Sequence, residues 1–169
     1  SERRISHVSL EEMAYVSSMR ALAAAGLDPA DVELIVIGTC SFDDQVPNQA
    51  SGLQVRLGAK RAAAYDVNTA CTSFLYALST ANALIRTGVV KNAVVVGGEL
   101  ISAFMDWHNR GVCVLFGDGC AAVVLEGVIE VADQAQQIGE HEGHHTDEEE
   151  RLPGALDLGE QQADDEQQR

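Results

Sequence analysis

Residues 66–78, DVNTACTSFLYAL, join a segment of strand character to a segment of helix character. The run that leads into them, AAAYDVN (62–68), is apolar and predicts a strand. The run that follows, CTSFLYALSTANALIRTG (71–88), has apolar residues at helical spacing and predicts an amphipathic helix. A strand that passes directly into a helix is typical of an α/β crossover unit. The residues predicted on the inward stripe of this helix are Phe74, Leu75, Leu78, Ala81, Leu84 and Ile85.

Two more strands are predicted on either side of this unit. DVELIVIGT (31–39) follows the turn signal Asp28-Pro29, and KNAVVVGG (91–98) follows the helix. Both runs are almost continuously apolar, as in strands buried on both faces of a parallel sheet. The order β-α-β-α-β predicts an α/β fold with a mostly parallel sheet, right-handed crossovers and helices on both faces.

Two helices are predicted before residue 62. Ser9 and Glu12 form a capping box, and LEEMAYVSSMRALAAAG (10–26) continues from it until Gly26. NQASGLQVRLG (48–58) predicts a weaker helix that ends at a glycine. The residues predicted to face inward from the first helix are Leu10, Met13, Ala14, Val16, Met19 and Leu22.

A hairpin is predicted at the end of the apolar part of the chain. The runs VCVLFGDG (112–119) and CAAVVLE (120–126) flank the dipeptide Asp118-Gly119, which is favoured in tight hairpin turns. We therefore expect the two runs to form an antiparallel pair, with Gly117 and Gly119 in the turn.

Composition divides the chain at residue 126. Residues 127–169 contain 13 of the 26 acidic residues but only 2 of the 11 basic ones, and they are rich in Gln and poor in β-branched residues. Such a segment buries too little apolar surface to offset its ordering entropy, so we expect about 133–169 to be disordered. Residues 1–126 form the predicted globular domain.

Several classes of protein and site are disfavoured. There is no basic stripe for nucleic acid, and no apolar run approaches the roughly 20 residues of a membrane span. The four cysteines form no C-x-x-C pair, which favours reduced thiols and a cytoplasmic protein. We predict no metal site. The candidate ligands are His141, His144 and His145, but in an acidic, flexible segment with no ordered surroundings they are expected to be solvated.

Cys71 is the residue with the clearest chemical potential. A thiol at a helix N-terminus lies near unpaired N–H groups, which favour the thiolate, and the carboxyl edge of a parallel sheet is where α/β folds place their sites. The alternative is a small buried side chain, the commoner fate of a free cysteine. The residues by themselves leave both interpretations open.

Four segments in this order resemble the first half of β-ketoacyl-acyl carrier protein synthase III, a condensing enzyme with a thiolase-like fold. They are AAAYDVNTACTSFLYALSTANALIRTG, NAVVVGGELIS, DWHNRG and VLFGDGCAAVVLE, and the resemblance covers about residues 1–126. It implies that Cys71 accepts an acyl group from acyl-coenzyme A and that the acyl group is condensed with malonyl-acyl carrier protein. It implies no cofactor, and a homodimer paired through NAVVVGGEL.

The resemblance also assigns binding residues. Arg110 matches an arginine that contacts coenzyme A, although a solvated surface arginine has the same appearance in a sequence. Val46 stands where acetyl-selective members have a phenylalanine that reaches into the partner's pocket, so a longer acyl chain is expected. The residues that match the acyl pocket are Cys40, Val46, Ile101 and Phe116, which core residues would equally resemble.

Two alternatives accompany this interpretation. In the family, a histidine and an asparagine needed for condensation come from the second half of the fold, and no matching half follows Glu126. The chain is therefore expected to be a central piece of a two-part fold that does not condense by itself, or a catalytically incomplete interaction and dimerisation protein. The other alternative is a starter-unit synthase of secondary metabolism or a longer-chain synthase with the same fold.

Overall fold

The structure, a computed structural model, describes residues 8–127. These residues lie in the first of the two units into which the chain divides, Ser1–Val128. The predicted disordered segment and the three histidines near residue 143 lie outside the described residues. The helices and strands are α1 (Leu10–Ala25), β1 (Leu34–Gly38), α2 (Gln49–Leu57), β2 (Ala63–Val67), α3 (Ser73–Arg86), β3 (Asn92–Leu100) and β4 (Asp118–Glu126), with 3-10 turns at Pro29–Asp31, Ala70–Thr72 and Ile101–Ala103.

The four strands form one mixed sheet in the order β2-β1-β3-β4. β1 is parallel to both of its neighbours, β2 and β3, whereas β4 runs antiparallel to β3. The predicted α/β fold with a mostly parallel sheet is confirmed. β1 is buried along its whole length, as its continuous apolar run predicted.

The helices pack on opposite faces of this sheet because successive strand residues point to opposite sides. Ile35 and Ile37 of β1 lie in a core with α1 and α2, whereas Leu34 and Val36 lie in a second core with α3. Residues of β3 alternate in the same way, which places Val94 with the first core and Val95 with the second. None of the helices within residues 8–127 has the length and apolar character that a membrane span requires.

The first helix begins and ends where the sequence predicts. The Ser9 hydroxyl accepts a hydrogen bond from the Glu12 N–H, and Gly26 closes the helix in the left-handed conformation. The predicted inward positions Val16 and Met19 are wrong, since both side chains are partly exposed. The buried positions instead recur every four residues, which is the ridge that a helix presents to a sheet; they are Leu10, Ala14, Ser18 and Leu22.

The predicted stripe of α3 needs one correction as well. Leu75 is 62% exposed, whereas Ala77 and Ala81 are fully buried against the strands. Small residues at those two positions let the helix axis approach the sheet closely. Phe74, Leu78, Leu84 and Ile85 pack around them, as predicted.

The predicted hairpin at residues 112–126 is wrong. Residues 109–115 form turns rather than a strand, and β4 pairs with β3 through nine consecutive residues. Asp118 and Gly119 belong to this ladder, opposite Leu100 and Glu99, and neither glycine of the run 116–119 has a positive φ. The long β3 offers β4 a complete partner, so pairing within 112–126 cannot compete.

The role predicted for β3 as the strand that joins two copies is also wrong. β1 and β4 occupy its two sides, so it has no open edge for a second chain. Among residues 8–127, the open edges of the sheet belong to β2 and β4.

Gly38 ends β1 directly beneath the start of α3, and the contact leaves no room for a side chain. A Cβ at this position would lie 2.6 Å from the carbonyl carbon of Ser73 and 2.7 Å from the Phe74 nitrogen. Both contacts are with backbone, so relief would require the whole helix to move.

We predict that Gly38→Ala lowers the free energy of unfolding by about 1–3 kcal/mol, the usual cost of overpacking a core. The matched control is Gly52→Ala inside α2, where the nearest atom to a new Cβ is 3.7 Å away. That control is expected to be neutral or to stabilise by about 0.5–1 kcal/mol, because alanine favours helix. Urea unfolding followed by circular dichroism measures both, and equal values for the two variants would contradict the prediction.

Candidate active site

Cys71 lies in the single 3-10 turn, Ala70–Thr72, that connects β2 to α3. The strand, the turn and the helix follow one another as predicted. α3 starts only at Ser73, so Cys71 precedes the helix rather than belonging to its first turn. Its side chain is exposed and its thiol is free. The hypothesis of a buried structural cysteine is therefore wrong.

The turn that carries Cys71 contains a strained residue. Ala70 has a φ of 53°, a left-handed conformation that is costly for any residue with a Cβ. Such strain persists only where surrounding contacts impose it, and it is concentrated at functional sites. In this turn the strained residue directly precedes Cys71.

Ser73 imposes this conformation. Its hydroxyl accepts a hydrogen bond from the Thr69 N–H at 2.9 Å and donates one to the Ala70 carbonyl at 2.7 Å. The Ser73 side chain is buried, whereas its partners Thr69 and Ala70 are exposed. Thr72 adds a third bond, from its hydroxyl to the Thr69 carbonyl at 2.8 Å.

A cavity of about 280 Å³ opens beside Cys71. Its size is near the lower end of the range for ligand pockets in proteins, about 300–1,000 Å³. Glycines let the Phe74 ring and the turn approach the strands, since a Cβ at Gly97 would lie 2.9 Å from that ring. The lining residues are Gly38, Ala70, Cys71, Ser73, Phe74, Gly97, Gly98, Glu99, Gly119 and Ala121.

Glu99 is the functional candidate that sequence analysis missed. It is the one charged residue that lines the cavity of Cys71 within the described part of the chain. Its carboxylate accepts hydrogen bonds from the Cys40 N–H at 2.9 Å and from the Ser41 hydroxyl at 2.5 Å. The available signal was a single acidic residue in the apolar run NAVVVGGEL, at the carboxyl end of a strand.

Cys40 lies next to this carboxylate but outside the cavity of Cys71. Its thiol donates a hydrogen bond to Glu99 Oε2 at 3.4 Å. Desolvation raises the pKa of Cys40, and the hydrogen bond and charge of Glu99 and the charge of Cys71 raise it further, whereas a bond to its own backbone opposes the shift. The residue lines a second cavity of about 340 Å³ with Phe42, Asp44 and Phe104.

The remaining residues predicted for acyl and coenzyme A binding are not brought together with Cys71. Val46 is 90% exposed and Phe116 is 50% exposed. Ile101 is half-buried in the 3-10 turn after β3, and Arg110 is exposed among the turns of residues 109–115. None of these four lines either cavity. Their roles in binding stay predictions.

The arrangement suits nucleophilic attack by a thiol on an acyl compound. An exposed cysteine lines a mainly apolar cavity, so an acyl chain in the cavity could have its carbonyl carbon within reach of the sulfur. Within residues 8–127, no cluster of three or more histidine, cysteine, aspartate or glutamate side chains is arranged to hold a metal ion. His108, the histidine within the described range, is almost fully exposed beside Asp106 and lines neither cavity.

Comparison with known proteins agrees with this description. Residues 65–142 match the family model for 3-oxoacyl-[acyl-carrier-protein (ACP)] synthase III. β-Ketoacyl-[acyl-carrier-protein] synthase III 2 of Vibrio cholerae is 45% identical over 139 residues, which are 82% of this chain and 38% of that protein. The match extends past Glu126, where the sequence analysis placed the end of the resemblance.

Solved structures show the same fold. 3-Oxoacyl-[acyl-carrier-protein] synthase III from Aquifex aeolicus superposes with a TM-score of 0.72 and 38% identity, over 76% of this chain and 42% of that one. The priming β-ketosynthase of the R1128 polyketide pathway also gives a TM-score of 0.72, with 33% identity over 75% of this chain and 38% of its own. The fold is thus thiolase-like, and the chain spans about two fifths of the length of these relatives.

We predict that Ser73→Ala lowers the free energy of unfolding by about 1–3 kcal/mol, because it removes two hydrogen bonds that hold the turn, one from the Thr69 N–H and one to the Ala70 carbonyl. It should also change the rate at which iodoacetamide alkylates Cys71, since the turn is then free to relax. Thr80→Ala is the control, because it removes an exposed hydroxyl that bonds the carbonyl one turn earlier in the same helix. A change within about 0.5 kcal/mol is expected there; the same small change in Ser73→Ala would contradict the prediction.

Proposed function

The chain belongs to the 3-oxoacyl-[acyl-carrier-protein] synthase III family, and on that premise we propose that Cys71 accepts an acyl group from acyl-coenzyme A. The observation that carries the proposal is the position of Cys71 at the entrance of an apolar cavity, inside the segment that matches the family model. The whole enzyme then condenses the acyl group with malonyl-acyl carrier protein. We propose no cofactor beyond these substrates.

In the proposed acylation step, Cys71 is the attacking group. The Cys71 sulfur, as thiolate, attacks the carbonyl carbon of the thioester, and a new carbon–sulfur bond forms through a tetrahedral intermediate. The bond from that carbon to the coenzyme A sulfur breaks, and the coenzyme A thiolate takes up the proton that Cys71 released. The N–H groups of the turn are suited to stabilise the negative oxygen of the intermediate.

Arg110 is proposed to bind the phosphates of coenzyme A. It is exposed, and a guanidinium offers several donors in a planar arrangement that suits phosphate oxygens. Ile101, Phe116 and Cys40 are proposed to contact the acyl chain in the whole enzyme.

The condensation step is proposed for the whole enzyme rather than for the described residues alone. Decarboxylation of a malonyl thioester needs groups that stabilise a developing negative charge, and the acid–base groups usually contribute orders of magnitude in rate. Glu99 is the one ionisable side chain besides Cys71 that lines the cavity in residues 8–127, and as an anion it opposes such a charge.

A second candidate function is a starter-unit synthase of polyketide biosynthesis. It is favoured by the equal TM-scores of the polyketide priming enzyme and the fatty-acid enzyme. The two functions differ in the preferred primer, and the exposed Val46 in place of a larger ring favours primers longer than acetyl. The order of acylation rates over a series from acetyl- to decanoyl-coenzyme A separates them.

A homodimer is also proposed, and the structure favours β2 as its edge. The loop that carries Val46 is attached to β2, because the Asn48 side chain donates to the Ala64 carbonyl and the Asp66 carboxylate accepts from the N–H of Gln49. Pairing of two β2 strands therefore brings each exposed Val46 towards the other copy. This replaces the pairing through β3 that the sequence suggested.

We predict that Cys71 is the thiol that acyl-coenzyme A acylates fastest. Incubation with hexanoyl-coenzyme A, followed by peptide mapping in a mass spectrometer, should show one adduct on Cys71 that hydroxylamine removes. Cys71→Ser should abolish it, whereas Cys113→Ser serves as the matched control and should retain it. Equal labelling of several cysteines, or labelling that persists in Cys71→Ser, would contradict the proposal.

We predict that Ala64→Pro weakens self-association. The N–H of Ala63 bonds to the Glu33 carbonyl on the β1 side, so the N–H of the next residue faces the open edge and its loss spares the ladder to β1. Sedimentation velocity at tens of micromolar should show a dimer for the unmodified chain and mainly monomer for Ala64→Pro. A dimer that survives the substitution would point to β4 or to another surface.

A further inference from the structure

The carboxylate of Glu99 gathers four hydrogen-bond donors from one short segment after β1. Oε1 accepts from the Cys40 N–H at 2.9 Å. Oε2 accepts from the Ser41 hydroxyl at 2.5 Å, from the Thr39 hydroxyl at 3.3 Å and from the Cys40 thiol at 3.4 Å. A single side chain on β3 thus fixes residues 39–41 at the edge of the sheet.

These four donors match a carboxylate that only accepts hydrogen bonds. The Ser41 oxygen already accepts from the Leu100 N–H at 2.7 Å, so its own hydrogen is directed at Glu99. The backbone N–H of Cys40 can only donate. An ionised carboxylate is purely an acceptor and satisfies all four groups, whereas an amide presents an NH₂ group to at least one of them.

Two exposed thiols flank this carboxylate. Cys71 shares its cavity with Glu99, and the Cys40 sulfur lies within hydrogen-bond distance of Oε2. Both cysteines are free, so nothing covalent distinguishes them. Only the thiolate form of a cysteine attacks a thioester, so the group that keeps one sulfur protonated decides which of the two reacts.

We propose that Glu99 is a positioning residue that holds the Cys40 sulfur as an S–H donor and thereby reserves acylation for Cys71. The inference rests on the proposed function in one respect, namely that Cys71 is the acyl acceptor. The carboxylate acts on Cys40 by a direct hydrogen bond and by its charge, both of which favour the protonated thiol. Without Glu99, the Cys40 thiolate becomes a second acceptor, and thioester exchange can move an acyl group from the Cys71 sulfur to the Cys40 sulfur, with the Cys40 proton passing to Cys71.

Other ionisable groups near Cys40 do not replace Glu99. Cys71 adds negative charge when it is ionised, and Asp43 and Asp44 line the second cavity with Cys40. The Asp43 carboxylate accepts hydrogen bonds from N–H groups at the start of α1, including that of Glu11 at 2.9 Å. Its oxygens are therefore bonded to that helix. The Cys40 thiol donates its hydrogen bond to Glu99.

The test is competitive alkylation of the full chain with iodoacetamide, which replaces iodide by a cysteine sulfur and needs no acyl substrate. The modified fraction of each cysteine is read by peptide mass spectrometry between pH 6 and 9. In Glu99→Gln, the rate for Cys40 relative to Cys71 should rise several-fold at neutral pH, because without the hydrogen bond and the charge of Glu99 the Cys40 thiolate forms more readily. The pH profile of Cys40 should move to lower pH.

Two controls separate this effect from loss of structure. Asp44→Asn removes a negative charge from the cavity of Cys40 but keeps the bond that the Cys40 thiol donates to Glu99, and should leave the ratio unchanged. Cys120, half-buried with its sulfur 3.5 Å from the Ser17 hydroxyl, reports unfolding in the same sample because it becomes reactive only when α1 separates from β4. Glu99→Asp, which keeps the charge, should give a smaller rise than Glu99→Gln.

The proposal is overturned if the ratio is unchanged in Glu99→Gln while Cys120 stays protected, or if Asp44→Asn raises the ratio equally. If Glu99→Gln also exposes Cys120, Glu99→Asp replaces it in the test. An unchanged ratio in Glu99→Asp with Cys120 protected would then overturn the proposal. Incubation of the same variants with hexanoyl-coenzyme A distinguishes the two claims. A changed alkylation ratio with no acyl adduct on Cys71 supports the role of Glu99 and refutes the proposed acyl acceptor. An acyl adduct on Cys71 with an unchanged alkylation ratio supports the acyl acceptor and refutes the role of Glu99.

Discussion

The contact between the end of β1 and the beginning of α3 is the constraint on which the site depends. Glycine is the only residue type that permits this contact at position 38, because a Cβ there would lie 2.6 Å from the Ser73 carbonyl carbon. With the helix so close, the chain between β2 and α3 must turn within a few residues, and the Ser73 hydroxyl holds Ala70 in the left-handed conformation within this turn. The position of Cys71 is therefore set by backbone packing between a strand and a helix, and only then by its own contacts.

The chemistry of the site follows from this backbone arrangement. The turn places the Cys71 side chain in the lining of an apolar cavity. The end of β3 supplies the carboxylate of Glu99, which accepts a hydrogen bond from the Cys40 N–H. Glu99 lies close to both thiols but is hydrogen-bonded to the segment of Cys40. The two cysteines therefore differ in environment although both are exposed, and the difference comes from one side chain on β3.

The sequence was sufficient for the features that depend on short-range patterns. The apolar runs of β1 and β3, the cap at Ser9 and the turn at Gly26 are local signals, and the strand–turn–helix around Cys71 followed from them. Competition between distant strands for pairing partners was not visible in the sequence. The run 112–119 looks like one arm of a hairpin, but β4 pairs with the longer β3 instead. Glu99 was missed for the same reason, since its partners are some 60 residues away in the chain.

The most direct test of this account is a crystal structure of the chain after incubation with hexanoyl-coenzyme A. We expect electron density for a hexanoyl group that continues from the Cys71 sulfur into the cavity beside Phe74, with Ala70 still at positive φ and Gly38 in contact with Ser73. Acyl density on Cys40 or on another cysteine would contradict the central claim. So would an acylated Cys71 whose turn has relaxed to negative φ at Ala70, because the backbone constraint would then not be what positions Cys71.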